Sequence, residues 1–531
     1  MIRTGFLAIV SLGTCFIVHT QPAEAQQRAT NERIEQAVAR GVSYLRSRPW
    51  NYNEPDKPSN NFDYDVGAAA LIGLALLESG VSPKDPILLS SARAIRSAAP
   101  KLKKTYAISL VILFLDRYGG SEESAIIRDL ACRLAAGQDN TSWGWTYDCP
   151  QVKDTLAILN WLRTNQKKTE FGKYLPTGTA CNSNTQFAIM ALWVAKRHNV
   201  PTDYVLARAE ARFRQTQHSD GGWGYRHDTE GSSPAMTCAG LLGLAVGHGN
   251  RLAKLQSGGK LVADEDKLKT APQGRNDLRT DIQLDKAKDY LAKQLKRKPH
   301  EIGHWPYFLW SLERVCVVFG INELDGVNWY EWGWKSLVER QRDDGSWDGN
   351  YPPQVNTAFA LLFLNKVNLS RDLSSIAQSE PEVDRPREDP NKLIREYAVA
   401  DETRRQEILK ILEVTKDPSG SYTQALIDAL PLLSEDLKEP VRMTLVKRLA
   451  RQSVNSLRSR LAENDAEVRL AVVRAVALKQ ARDLVPDLVE LLPKADNNLA
   501  DAIAKTLQGL TGQDHGRNVQ AWRDYLAKQK Q

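Results

Sequence analysis

Two carboxylates and a histidine are the residues best placed for proton chemistry in this 531-residue chain. Asp63 and Asp65 flank Tyr64 at the head of the apolar stretch YDVGAAALIGLALLES (64–79) and are the strongest acid candidates. His304 immediately precedes a second such stretch, WPYFLWSLERVCVVF (305–319), and is the strongest base candidate. Acids in a first helical turn also suit the helix dipole without any further role. Metal chemistry asks for more, since a reactive zinc takes three protein ligands and keeps a fourth position open. The possible donors Cys149, Cys181, His227 and His304 share no ligand spacing, so neither a metal nor a cofactor is expected. Of six cysteines, Cys15 lies in an apolar leader, and the odd number remaining excludes a full disulfide framework. Cys132, Cys238 and Cys316 sit in apolar helical surroundings and read as buried thiols. Cys149 and Cys181 lie in two loops that flank one insertion, which makes them the disulfide candidate.

The elements that must position these residues announce themselves through a recurring turn. QHSDGGWGY (217–225) returns as QRDDGSWDGNY (341–351) and, more loosely, as GQDNTSWGWTYD (137–148). Asp and Gly reverse the chain, but a reversal alone needs no Trp. The turn separates an amphipathic helix from one that is apolar almost all round, and that couplet recurs six times. First helices are expected near 31–46, 84–98, 121–136, 202–216, 283–296 and 327–341. Second helices are expected near 64–79, 104–118, 183–198, 233–248, 305–319 and 355–367. A helix apolar on every side must be buried on every side. Six of them form an inner ring inside six amphipathic ones, which predicts an all-α, six-hairpin α/α toroid over 30–369. Gln217, Gly222 and Trp223, with Gln341, Gly345 and Trp347, are its structural pins: the glutamine satisfies open groups of a helix end, and the indole fixes a mobile turn.

Residues 149–182 insert a helix (154–166) into the third hairpin, and 250–282 read as a charged surface loop. SEPEVDRPREDP (379–390) marks a linker over 370–392. Beyond it, over 393–531, EPVRMTLVKRLA (439–450) and AEVRLAVVRAVA (466–477) match each other in pattern. Asp465 caps the second, Pro486 starts a further helix, and NLADAIAKTLQGLTG (498–512) opens another pair. These stacked pairs are similar to HEAT repeats and predict a short α-solenoid, a scaffold suited to a protein partner. At the other end, Arg3, the run GFLAIVSLGTCFIV (5–18) and AEA (23–25) read as a secretory signal peptide over 1–25. An exported, periplasmic or extracellular protein without a transmembrane span is therefore expected. The net charge of +7 is spread along the chain and gives no nucleic-acid footprint.

Gln-x-x-Asp-Gly-Gly-Trp-Gly between an outer and an inner helix resembles the repeats of squalene–hopene cyclases. It places residues of roughly 30–370 in likeness to the terpenoid cyclase and prenyltransferase toroids. CNSNTQFAIMALWVAKRHNVP (181–201), PAMTCAGLLGLAVG (234–247) and FLWSLERVCVVFG are similar to exported prenyltransferase/squalene-oxidase-repeat proteins of planctomycete type. The resemblance implies a cavity mouth at the amino ends of the inner helices. There it places Tyr64, Tyr106, Asn184, Thr185, Thr237, Trp305, Tyr307 and Asn356, with an apolar small molecule as the possible occupant.

The departures from the family argue against its chemistry. Triterpene cyclases protonate an alkene from an Asp-x-Asp-Asp motif, whose clustered carboxyls hold and share the proton. Here Val66 breaks the second acid pair of Asp63-Tyr64-Asp65-Val66. Protein prenyltransferases hold zinc with an Asp-x-Cys pair and a distant His, whereas Asp148 and Cys149 are adjacent. The expectation is an exported non-catalytic binding or assembly protein. The alternative is a divergent lipid-modifying enzyme of cyclase or prenyltransferase type.

Overall fold

The computed structural model describes residues 21–48, 62–119, 121–152, 154–164, 179–228, 231–256, 281–366, 373, 388–415, 417, 420–452 and 454–529. The leader run 5–18 and most of the 370–392 segment lie outside the described residues. The chain is all-α. Among the described residues it forms 22 α-helices and one small antiparallel pair, Glu323–Leu324 with Val327–Asn328.

The first thirteen helices follow the predicted couplets. α1 (Gln21–Ser47) precedes α2 (Phe62–Glu78), and α3 (Pro86–Ala98) precedes α4 (Thr105–Tyr118). α5 (Ser121–Ala136) and the inserted α6 (Thr155–Thr164) precede α7 (Asn182–Ala195). α8 (Asp203–Thr216) leads to α9 (Pro234–Gln256), α10 (Ile282–Gln294) to α11 (Trp305–Phe319), and α12 (Trp329–Arg340) to α13 (Pro353–Leu364). The second member of each pair is the buried one. In α2 every residue from Val66 to Leu77 is buried, and in α7 every residue is. Such helices have no polar face to turn to water, so each must pack on others. α2 packs on α4, α4 on α7, α7 on α9, α9 on α11, α11 on α13, and α13 back on α2. The first members lie against this series: α3 on α2 and α4, α5 on α4 and α7, α8 on α7 and α9, and α1 and α12 on α13.

Nine helices follow: α14 (Pro390–Val399), α15 (Glu402–Val414), α16 (Ser421–Ala429), α17 (Glu435–Ala450), α18 (Val454–Leu461), α19 (Ala466–Lys479), α20 (Val485–Leu491), α21 (Asn497–Thr511) and α22 (Val519–Gln529). α15, α17, α19 and α21 pack in series, with α14, α16, α18 and α20 against them. Their starts are written in the sequence. Asp389, Asp401, Asp465 and Asp496 each accept a first-turn N–H, which satisfies donors that the helix cannot. The buried apolar residues fall into two large clusters, one running from Ala37 to Leu373 and the other from Leu393 to Trp522.

Two boundaries differ from the sequence reading. α9 continues to Gln256, two turns into the segment read as a charged loop. Asn250 and Arg251 are buried there because they have partners: Asn250 Nδ2 donates to Asp203 O at 2.8 Å, and Arg251 pairs with Glu210. α14 begins at Pro390, inside the predicted linker, because Asp389 caps it and proline suits the first helical position. The expected cleavage site, 23–25, falls at the start of α1.

Candidate functional site

The three recurring turns share one hydrogen-bond pattern. The indole of Trp223 donates to Phe213 O at 2.8 Å, that of Trp347 to Leu337 O at 2.8 Å, and that of Trp145 to Leu134 O at 2.7 Å. Each tryptophan therefore closes a carbonyl near the end of its own outer helix. The backbone N–H of the same tryptophans donates to Thr237, Thr357 and Thr185 at 3.3, 3.2 and 3.1 Å. The glutamine reaches the next repeat: Gln217 Nε2 bonds Gly221 O and Gln283 O at 2.8 and 2.7 Å. Gln341 Nε2 bonds Gly345 O at 3.0 Å and Ala37 O, in α1, at 2.8 Å. Gly345 has φ +86°, and a Cβ there would stand 2.4 Å from Arg40 O, so the turn fits against α1 only as glycine.

These bonds reassign several mouth candidates. Thr185 and Thr237 are wholly buried and serve the turns rather than a ligand. Asn184 caps nothing outward; its N–H and amide donate to Cys181 Sγ at 3.4 and 3.1 Å. Asn356 Nδ2 donates to Tyr351 O at 2.5 Å. The first N–H groups of the inner helices are also engaged. Thr105 N donates to Tyr147 O at 2.9 Å and Asn182 N to Tyr225 O at 2.8 Å. The starts of α4 and α7, which the resemblance places at a mouth, are laced to the loops that follow α5 and α8.

The catalytic candidates stand apart in their partners. Asp63 Oδ1 accepts from Lys103 N and Lys104 N at 2.6 and 2.8 Å, which ties α2 to the start of α4. Asp65 follows it in the first turn of α2. His304 is exposed, with φ +56° and its N–H on Asn350 Oδ1 at 2.9 Å, and its ring lies 5.5 Å from that of Tyr351. The pairing of Cys149 with Cys181 is corrected: both are free thiols. Cys149 Sγ lies 3.3 Å from Thr105 Oγ1, while Cys181 caps α7, so each sulfur has its own neighbour. Burial pushes the Cys149 thiol up to about 12, which leaves it protonated and unreactive.

Four of the buried helices, α4, α7, α11 and α13, meet through aromatic rings. Tyr106 of α4 contacts Phe187 of α7 edge-on at 5.0 Å. Phe187 stacks on Tyr307 of α11 at 6.2 Å and lies 5.7 Å from Trp310. Phe359 of α13 lies 5.7 Å from Tyr307 and 5.4 Å from Trp310. α7 and α11 are not successive in the helix series, so these rings bridge between non-adjacent members. Trp305, Tyr307, Trp310, Phe187 and Phe359 are all buried, while Tyr64 stays 46% exposed at the rim. Ser183 Oγ joins Tyr106 and Tyr307, at 2.6 and 3.1 Å. Burial raises both phenols well above their ordinary value, with Ser183 opposing, so neither is an acid near neutral pH.

Two charges lie deeper in α11. Arg314 stands over the Trp310 ring at 3.8 Å and donates to Gln186 Oε1 at 3.1 Å. Glu313 is fully buried, and neither of its carboxyl oxygens has a hydrogen-bond partner among the described residues. Desolvation raises its pKa well above the carboxylate range, against the pull of Arg314. The sequence reading passed over both, although a Glu-Arg pair inside FLWSLERVCVVF was the signal. Among the described residues no group of three His, Cys, Asp or Glu gathers to hold a metal, and no helix is long and apolar enough to cross a membrane. Compared with known proteins, the chain matches no family model and none of the curated sequences.

Proposed function

We propose that this chain is an exported binding or assembly protein: a six-hairpin α/α toroid of terpenoid-cyclase type joined to a short HEAT-like solenoid. The toroid reading is supported by the helix contacts that run from α2 through α13 and return to α2, and by the bond from Gln341 to Ala37. The solenoid reading is supported by the two packed series of helices after residue 390. Export rests on the leader pattern of residues 1–25 alone.

In this proposal the ring carries no cyclase or prenyltransferase chemistry. The observation behind it is the aromatic contact among Phe187, Tyr307, Trp310 and Phe359, which occupies the interior where a long polyene would have to lie. The acid side agrees. Alkene protonation needs a carboxyl made stronger than usual. Glu313, the buried carboxyl of the interior, is shifted the opposite way, and Asp63 is engaged by two backbone N–H groups. Incubation with squalene, and separately with prenyl diphosphates plus zinc and magnesium, is expected to yield no product. Turnover that Asp65→Asn abolishes in a folded protein would replace this reading with the enzyme alternative.

A further inference from the structure

Where α4, α5 and the turn after α7 face α20, α21 and α22, the chain forms an open-mouthed cavity of about 260 Å³. Three of its wall residues stand in hydrogen-bonded series. His198 Nε2 lies 2.9 Å from Asp116 Oδ1, and His198 Nδ1 lies 2.9 Å from Ser124 Oγ. Asp116 comes from the last turn of α4, Ser124 from the first turn of α5, and His198 from the short turn after α7. Across from them lie Val485, Pro486, Leu510 and Leu526.

We propose that Ser124 is a nucleophile and that this cavity hydrolyses esters of short apolar acyl groups. The proposal goes beyond the binding role of the ring and does not depend on it. A serine hydroxyl is a weak nucleophile until a base lies within hydrogen-bond reach and a third group orients that base. This arrangement is recognised by geometry and role, not by chain order. In this proposal the imidazole is the tautomer whose Nε2–H donates to Asp116, so that the Nδ1 lone pair faces the serine hydroxyl and Arg482 acts beside Nε2 as a charge rather than as a donor to it. Asp116 stays ionised: burial alone would raise it, but Arg482 at 2.7 Å, Arg197 at 3.1 Å and the His198 hydrogen bond hold it well below the usual carboxylate range. Burial lowers His198 against the pull of Asp116, and the two arginines push the same way. Arg482 Nη1 also lies 3.1 Å from Nε2. The base is therefore neutral near pH 7, and the imidazolium it becomes is a ready proton donor. The volume falls just under the ~300 Å³ lower end of small-molecule sites, and the facing wall sets Val485, Pro486, Leu510 and Leu526 beside Arg482, Asp483, Thr511 and Tyr525, which leaves room for a short acyl chain.

The step balances with water alone. Ser124 Oγ bonds the ester carbonyl carbon as its proton passes to His198 Nδ1. The carbon–oxygen bond to the alcohol then breaks, and the alcohol leaves with that proton. Water adds to the acyl-serine and gives a proton to Nδ1. The acyl–Oγ bond breaks, Ser124 recovers the proton, and the acid departs. A structural ion cluster requires only Asp116 and its arginines; it gives no reason for a serine hydroxyl on the imidazole at a cavity wall.

The test treats the full chain with a fluorophosphonate, maps the adduct by mass spectrometry, and follows 4-nitrophenyl butyrate hydrolysis. One adduct is expected, on Ser124, with hydrolysis absent in Ser124→Ala. His198→Gln should slow both labelling and hydrolysis by roughly 10²-fold or more while circular dichroism is unchanged. The rate should hold as pH falls to 6.5 and decline only below it, since His198 titrates under its ordinary value. A wild-type protein whose Ser124 stays unlabelled while a control esterase reacts would overturn the proposal. So would labelling that His198→Gln leaves unchanged.

Discussion

At the Gln–Trp turns, one helix pair meets the next through a buried indole, a glutamine amide and the backbone. Near Gly119, α4, α5 and the turn after α7 meet α19–α22 through Asp116, Arg197, His198 and Arg482, with a cavity beside them. The first kind of seam repeats along the chain and turns on buried indoles, with a buried Arg214–Asp281 pair beside Gln217. The second is built of buried charge around Asp116. A repeated apolar seam gives rigidity cheaply, because each residue buried adds its own transfer free energy. A charged seam adds little net stability over an apolar one, but losing one partner leaves the others stranded. The two seams should therefore fail in different ways.

The largest effect is expected at the Gln–Trp seam. Trp223→Ala removes a fully buried indole and its bond to Phe213, and should cost about 3–5 kcal/mol in denaturant unfolding. An unchanged transition would mean that the turns do not pin one helix pair to the next. The charged seam breaks by geometry instead. Gly119 has φ +74°, and a Cβ there would stand 1.7 Å from Thr511 O. Gly119→Ala should cost about 1–3 kcal/mol and split one calorimetric transition into two, as the C-terminal helices come loose. A single, merely shifted transition would contradict the contact.

Acid sharpens the same contrast. The folded-state pKa of His198 is lowered from 6.5, so the unfolded chain binds the proton more readily. Stability contributed by the charged seam is therefore present above pH 6.5 and is lost as pH falls below it. His198→Gln should flatten that part of the melting-temperature profile, whereas Trp223→Ala should shift the profile without changing its slope. The smallest effect concerns Glu313. Its folded pKa lies well above 4.5, so folding favours the protonated form and stability declines as pH rises past 4.5. Glu313→Gln should remove that decline and change stability at pH 5 by no more than about 1 kcal/mol. A steep loss in Glu313→Gln would mean that the carboxyl is held charged by a partner.

What was legible in the sequence follows the same division. Gln217 and Trp223 belong to one short stretch, and six apolar stretches in alternation could be placed before any coordinates. Thr237 escaped, because its bond to Trp223 spans 14 residues and its sequence neighbourhood reads as helix start. Asp116 and Arg482 are 366 residues apart, and no local pattern joins LDRY to LKQARD. Arg197 and His198 stand in the quoted stretch 181–201 with no local pattern that marks them out. Cys149 and Cys181 misled for the opposite reason: proximity in the chain suggested a bridge, but Thr105 and Asn184 give each sulfur a separate place. Apolar periodicity reports burial and is local, whereas the meeting of polar groups depends on the whole fold.

The bond from Gln341 to Ala37 has a consequence in time. It joins residues 304 positions apart, and most of the surface on which α1 packs belongs to α12 and α13. On a ribosome or a translocon, α1 emerges first and waits for a partner that is made last. Contacts this distant slow folding, because the intervening chain must be ordered before they form. Until then the apolar faces of Tyr44 and Leu45 in α1, and of the inner helices awaiting closure, stay open to other chains. The contact that ties α1 to the last helices of its cluster thus leaves the nascent chain open to misassociation until α13 has been made.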